Sequence, residues 1–185
     1  MNMTKDSFLK ICRIVLSVLL IAKVVYHLIP LLVVWLFTYP FDLPNWLTMI
    51  CSSSFSLTTF GMISMIVVMG VRYFGFNTLL ESAEGLILAI VVLLILTVIV
   101  WAAISVLRKR ILMPIIAMAP LLFEFYDLIV IEDVDKLFAW KVILLAIHGL
   151  MIALLSIYCI DYFREKIKQR KLKKAMADQD VLEQQ

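Results

Sequence analysis

Long apolar runs, broken by short polar punctuation, dominate the chain. A helix needs about 20 apolar residues to cross a hydrocarbon core of about 30 Å. Gly85 to Leu107 meets that requirement without a single charged residue. Leu43 to Val71 is also free of charge, and its spanning part is expected to begin near Leu47. Ile14 to Phe37 is long enough although it holds Lys23, His27 and Pro30, and Leu137 to Ile160 is long enough with Lys141 and His148 inside it. Ile111 to Ile131 is the contested run. It is apolar as far as Phe123, then meets Glu124 and Asp127, with Pro114 and Pro120 near its start. Proline is tolerated in membrane helices, so these two do not exclude a span.

The pattern predicts an all-α, polytopic membrane bundle of five transmembrane helices over 14–37, 47–71, 85–107, 111–131 and 137–160. The alternative is four spans, with Ile111–Ile131 lying on the surface or re-entering. Residues 1–160 form the transmembrane part, and 161–185 form a tail read as a helix continuing out of the last span. Connections are short: a turn with two prolines at Thr38–Asn45, a longer loop from Arg72 to Glu84, a basic turn at Arg108–Arg110 and an acidic turn at Glu132–Lys136. Trp35, Tyr39, Trp46, Trp101, Trp140 and Tyr158 lie near the predicted ends, where interfacial aromatics belong.

Composition supports a membrane setting. Of 185 residues, 64% are apolar and 17% charged, whereas a soluble domain is about half apolar and about a quarter charged. A chain this short exposes much of its surface, so the excess must face lipid. The three cysteines, Cys12, Cys51 and Cys159, form no CxxC pair and read as small buried apolar residues. Lys5, Lys10 and Arg13 ahead of an apolar stretch resemble a signal peptide, but no small-residue cleavage site follows, and the stretch reads as an uncleaved first helix.

The net charge of +3 is unevenly placed. Seven of the seventeen Lys and Arg residues fall in Arg164, Lys166, Lys168, Arg170, Lys171, Lys173 and Lys174. Basic residues just inside a membrane attract anionic lipid, which is the expected role of this stretch; nothing points to nucleic acid. Short loops rich in Lys and Arg stay cytoplasmic. With five spans and the N-terminus outside, ten basic residues lie inside against six outside; with four spans and both termini inside, the division is eleven to five. Both arrangements put the tail in the cytoplasm of a multi-pass protein, most simply in the cell membrane.

Ionisable residues inside a span cost roughly 2.5–3.5 kcal/mol each and usually face a partner or water. Lys23 and His27 are four apart on one helix face, and Glu124 and Asp127 are three apart on another. At about 1.5 Å per residue, Lys23 lies ~14 Å past Ile14, Glu124 ~10 Å before Ile131, and His148 ~16 Å past Leu137. The five-span arrangement, with Ile111–Ile131 antiparallel to the first helix, brings these groups to one layer. Lys23, His27, Glu124, Asp127 and His148 are therefore the candidate polar layer. One reading is a buried Lys23–Glu124 pair that fixes packing; the other is a path for an ion, a proton or a polar ligand, with His148 able to titrate near neutral pH. Asp127 and Lys141 are expected nearer the interface, where long side chains snorkel. The second span is rich in hydroxyls (Thr48, Ser52, Ser53, Ser54, Ser56, Thr58, Thr59, Ser64), which suits close helix packing or the lining of a polar cavity.

No HExxH, GxSxG or P-loop pattern occurs. Tyr126-Asp127 matches half of the aspartyl intramembrane protease signature, but its GxGD half is missing. The expectation is no cofactor, no metal and no enzymatic role. The leading reading is an accessory, regulatory or immunity-type subunit that packs against another membrane protein or a second copy of itself. A small transporter or channel subunit using the polar layer is the alternative, weighed down by the absence of an evident broken-helix pair.

Overall fold

The structure, a computed structural model, describes residues 5–36, 44–74, 83–130 and 137–183. The predicted turns at Thr38–Asn45 and Glu132–Lys136 and the loop Arg72–Glu84 fall largely outside these residues. Six helices account for nearly all of the rest: α1 (Lys5–Leu36), α2 (Asn45–Leu57), α3 (Thr59–Phe74), α4 (Ala83–Leu107), α5 (Leu112–Val130) and α6 (Phe138–Glu183). The chain is an all-α protein. Three stretches are long and apolar enough to cross a membrane: Gly85–Leu107, Leu112–Val130 and Phe138–Lys173. A fourth is added if α2 and α3 count as one bent segment.

The long helices form a ring. α1 packs beside α4 and α6, and α5 packs beside the same two, so α1 and α5 face each other across the diagonal. Small residues let α1 and α4 approach closely: Ala102 and Ala103 are fully buried, and the Ser17 hydroxyl donates to the Ala103 carbonyl at 3.1 Å. Two apolar cores fill the interior. Leu16, Leu20, Ile99, Val106, Ala117, Leu121, Met151 and Leu155 belong to one. Leu57, Leu128, Leu137 and Leu144, with Tyr26 and Trp140 against them, make the other.

These cores reveal the helix directions. α1 passes from Leu16 and Leu20 in the first core to Tyr26 beside the second, and α5 passes from Ala117 and Leu121 to Leu128. α6 runs the other way, from Leu137 and Leu144 to Met151 and Leu155. α1 is therefore parallel to α5, which corrects the antiparallel expectation. The start of α1 (Asp6, Leu9, Arg13) lines one cleft with Lys109, Tyr158 and Glu165, so the N-terminal end lies beside the root of the tail. The α4–α5 turn at this end closes tightly. Lys109 takes a left-handed conformation (φ 54°), and the Arg110 amide donates to the Ser105 carbonyl at 2.8 Å, the six-to-one bond of a Schellman cap. The Tyr158 hydroxyl then donates to the Arg110 carbonyl at 3.0 Å, tying α6 to the turn.

The second correction concerns 47–71. In place of one continuous span, the segment breaks at Thr58, whose φ of −139° and ψ of 137° are extended, and the flanking parts meet at 103°. Irregular backbone at membrane depth survives only where its polar groups are satisfied. Here the Thr58 hydroxyl donates to the Ser54 carbonyl (3.2 Å) and accepts from the Gly61 amide (3.0 Å). The fold is also tight there: a Cβ on Gly61 would collide with the Ser54 carbonyl. Hence α2 packs on α1 and α6 while α3 turns away onto α1, α4 and α5. The irregular segment is the second apolar run; the contested fourth run is a regular helix in the ring.

Beyond the bundle, α6 continues without a break to Glu183. Arg164, Lys166, Lys168, Arg170, Lys171 and Lys173 are all exposed along it.

Two outcomes test this fold. Cysteines placed in Thr38–Asn45 and in Glu132–Lys136 should react with an impermeant thiol reagent from the side opposite to the tail, and a cysteine at the N-terminus from the same side as the tail. Reaction of Thr38–Asn45 from the tail's side restores five crossings. Gly61→Ala should lose about 1–3 kcal/mol of stability, the usual effect of forcing a methyl into packed structure, read as a lower melting temperature in detergent; an unchanged melt means that the break is not as tight as described.

Candidate functional site

The polar layer lies between the two apolar cores. Lys23 and His27 come from one face of α1, Glu124 from the opposite helix α5, and His148 from α6. All four are buried, with exposures of 5%, 2%, 1% and 3%. The Lys23 ammonium donates to Glu124 Oε2 in a direct ion pair. Its Nζ also lies 2.8 Å from His148 Nε2. His148 Nδ1 faces the Leu144 carbonyl at 2.8 Å. A carbonyl can only accept, so Nδ1 carries a proton, while Nε2 faces the Lys23 ammonium. His148 Nε2 is also 3.2 Å from Glu124 Oε2.

His27 completes the group. Its Nδ1 is 3.3 Å from the Ser54 hydroxyl, and its ring meets Tyr26 and Phe60 edge-on at 5.2 and 4.8 Å between centroids. Its Nε2 lies 3.7 Å from Glu124 Oε2, beyond a hydrogen bond. Among the described residues, His27 Nε2 and Glu124 Oε1 are the buried side-chain polar atoms without a hydrogen-bond partner. Buried polar atoms are nearly always paired, and exceptions call for an explanation. Both exceptions here fall in one cluster.

Asp127 sits one turn beyond Glu124 and is also buried, at 9% exposure. Its Oδ2 accepts from the Thr59 amide at 3.1 Å. Thr59 opens α3, so a carboxylate meets the positive end of a helix at the break. Lys141, in the first turn of α6, is buried too, at 8% exposure. The structure therefore brings Lys23, His27, Glu124 and His148 into contact, and sets Asp127 beside them on the break.

Sequence reasoning did not single out Ser53, Ser54 and Thr58 from the other hydroxyls. All three are buried at the layer or the break, whereas Thr48 and Ser56 are exposed. Ser53 bonds the Tyr26 hydroxyl at 2.8 Å. The available signal was Tyr26 and His27 lying on α1 next to Lys23, which demands polar partners on a neighbouring helix. Among the described residues no group of three His, Cys, Asp or Glu is arranged to hold a metal ion. Lys23 fills the position on Glu124 where a cation would bind.

No protein-family model matches the chain, and no curated protein or solved structure matches it either.

A double-mutant cycle tests the pair. Lys23→Met and Glu124→Gln should each lose about 3–5 kcal/mol, because each strands a buried charge. The double variant should lose far less than their sum, as measured by unfolding in mixed detergent micelles. Additive losses mean that the two residues do not interact.

Proposed function

We propose that the chain is a small multi-pass transporter whose polar layer takes up and releases a proton. In this reading α1, α4, α5 and α6 cross the membrane, and α2–α3 enter and leave from the side where α1 ends. Charge supports that topology. It puts Lys5, Lys10, Arg13, Arg108, Lys109, Arg110 and the seven tail residues on one side, thirteen basic residues, against Arg72, Lys136 and Lys141 on the other. The division is sharper than for either arrangement weighed from sequence, and it makes the tail side cytoplasmic.

The observation that carries the proposal is the pair of partnerless atoms, Glu124 Oε1 and His27 Nε2, in a buried ionic cluster beside a broken helix. Neutral His27 has one N–H to share between Ser54 and Glu124. A second proton makes both ring nitrogens donors, one for each neighbour, and adds a positive charge beside the carboxylate. Protonation therefore draws His27 toward Glu124 and weakens the hold of Lys23. Broken helices at mid-membrane are where transporters build their sites, and Thr58 provides such a break two contacts from the cluster, through Ser54 and His27. The apolar cores above and below favour an occluded, alternately opening site over an open pore. The lack of an evident broken-helix pair weighed against a transporter, and the break at Thr58 removes that objection.

Purified protein in liposomes carrying an internal pH dye should pass protons faster than empty vesicles under an imposed potential. Lys23→Met/Glu124→Gln, which keeps the layer neutral, should fall to the empty-vesicle rate with the fold intact by circular dichroism. Parent protein with no proton flux, or a double variant with full flux, overturns the proposal.

A further inference from the structure

A groove of about 560 Å³ opens sideways between α3, α4 and α5 and ends at Glu124. This is within the usual size range for a small-molecule site. Its walls are apolar: Ile63 from α3, Leu94 and Val98 from α4, Phe123 from α5. Only Thr59 at the helix break and Glu124 at the inner end bring polar side chains. Glu124 is 1% exposed, and its Oε1 has no hydrogen-bond partner while Oε2 holds Lys23. The same wall contains Pro120, which brings no N–H to the carbonyl of Ile116, another lining residue.

We infer that this groove binds a long-chain alcohol from the bilayer, with the hydroxyl donating to Glu124 Oε1 and the chain lying between α3, α4 and α5. The inference rests on the reading of Glu124 as a binding centre and adds the class of molecule that reaches it. The charge state selects the ligand. Lys23 and Glu124 already cancel, so a permanently cationic amine would keep a surplus charge buried, unlike the proton that His27 takes up and releases. An anionic head would meet a carboxylate. Ethers and esters only accept, and the open atom is itself an acceptor. A neutral hydroxyl donor remains.

The test uses the full chain in lipid nanodiscs, photolabelled with a diazirine-bearing long-chain alkanol or its methyl ether, and peptide mapping by mass spectrometry. The alkanol should label Ile63, Leu94 and Phe123 about tenfold more than the ether, the ratio for one hydrogen bond to a carboxylate worth about 1.4 kcal/mol. Ala119→Trp, which fills the groove from α5, should abolish that labelling while leaving the melting temperature unchanged. Equal labelling by alcohol and ether, or labelling as strong at the outward-facing Ile87 and Leu93 as in the groove, overturns the inference. Selective labelling in a protein without proton flux overturns the transport reading alone. Flux that depends on Glu124, with no preference for the alcohol, overturns the groove alone.

Discussion

A buried charge in a bilayer must find its opposite, and that constraint organises this protein. Lys23 and Glu124 lie on α1 and α5, helices that occupy opposite corners of the ring and do not pack side by side. Their side chains reach across the interior to meet. A pair across the diagonal fixes two relations at once, the rotation of each helix about its axis and its height relative to the other. Apolar packing alone specifies height poorly, because one leucine layer resembles the next. The ionic layer acts as a register mark: if α5 slid by one turn so that Leu121 took the place of Glu124, Lys23 would lose its acid. His148 extends the same constraint to α6 through its contact with the Lys23 ammonium.

The helix break is linked to this layer by two routes. His27 reaches Ser54, whose carbonyl accepts the hydroxyl of Thr58, and Asp127 accepts the amide of Thr59. The first route starts on α1, four residues from Lys23. The second starts on α5, three residues from Glu124. A change in the ion pair that shifts α1 against α5 must therefore pull on both sides of Thr58. A residue with extended backbone between two helices is where such a displacement can be absorbed, since only a few torsions need to change. The local hydrogen bonds at Thr58 hold the break closed, and the Gly61–Ser54 approach leaves no room for a side chain that would prop it open.

Much of this was legible in the residue pattern. The apolar runs mark α4 and α5 within two residues, although α1 begins nine residues before its run, and the i, i+3 and i, i+4 spacing of Lys23, His27, Glu124 and Asp127 places them on inward faces. The shared level of Lys23, Glu124 and His148 was legible even though the direction of α1 was not. All three lie near the midpoints of their runs, and a midpoint keeps its height when a helix is inverted. Direction depends on how the second run is laid, and nothing in Leu43–Val71 announces that it is bent. The run has no charge and no proline beyond Pro44 at its start, and Thr58 is an ordinary residue in a hydroxyl-rich stretch. Suspicion fell on Ile111–Ile131 because of its two prolines and two acids. Yet Pro114 stands in the first turn of α5, where its missing N–H is harmless, and both acids have partners inside the bundle. The break arises from tertiary contacts, and these had no local signature.

The two cores set a limit on what the layer can do. One seals the layer toward the tail with Leu16, Leu20, Leu121, Met151 and Leu155, all at most 1% exposed. The other seals it on the far side with Leu57 and Leu128, both fully buried. The residues named are all apolar, so these two layers oppose the entry of water along the bundle axis. The side wall is different. There the groove between α3, α4 and α5 runs from the lipid surface to Glu124. Glu124 lines that groove yet is only 1% exposed, so the layer is closed along the axis and borders an apolar groove on this side. Under the transport proposed above, the hydrocarbon is the shorter route to the ion pair, and passage to water would be the step that moves the break at Thr58.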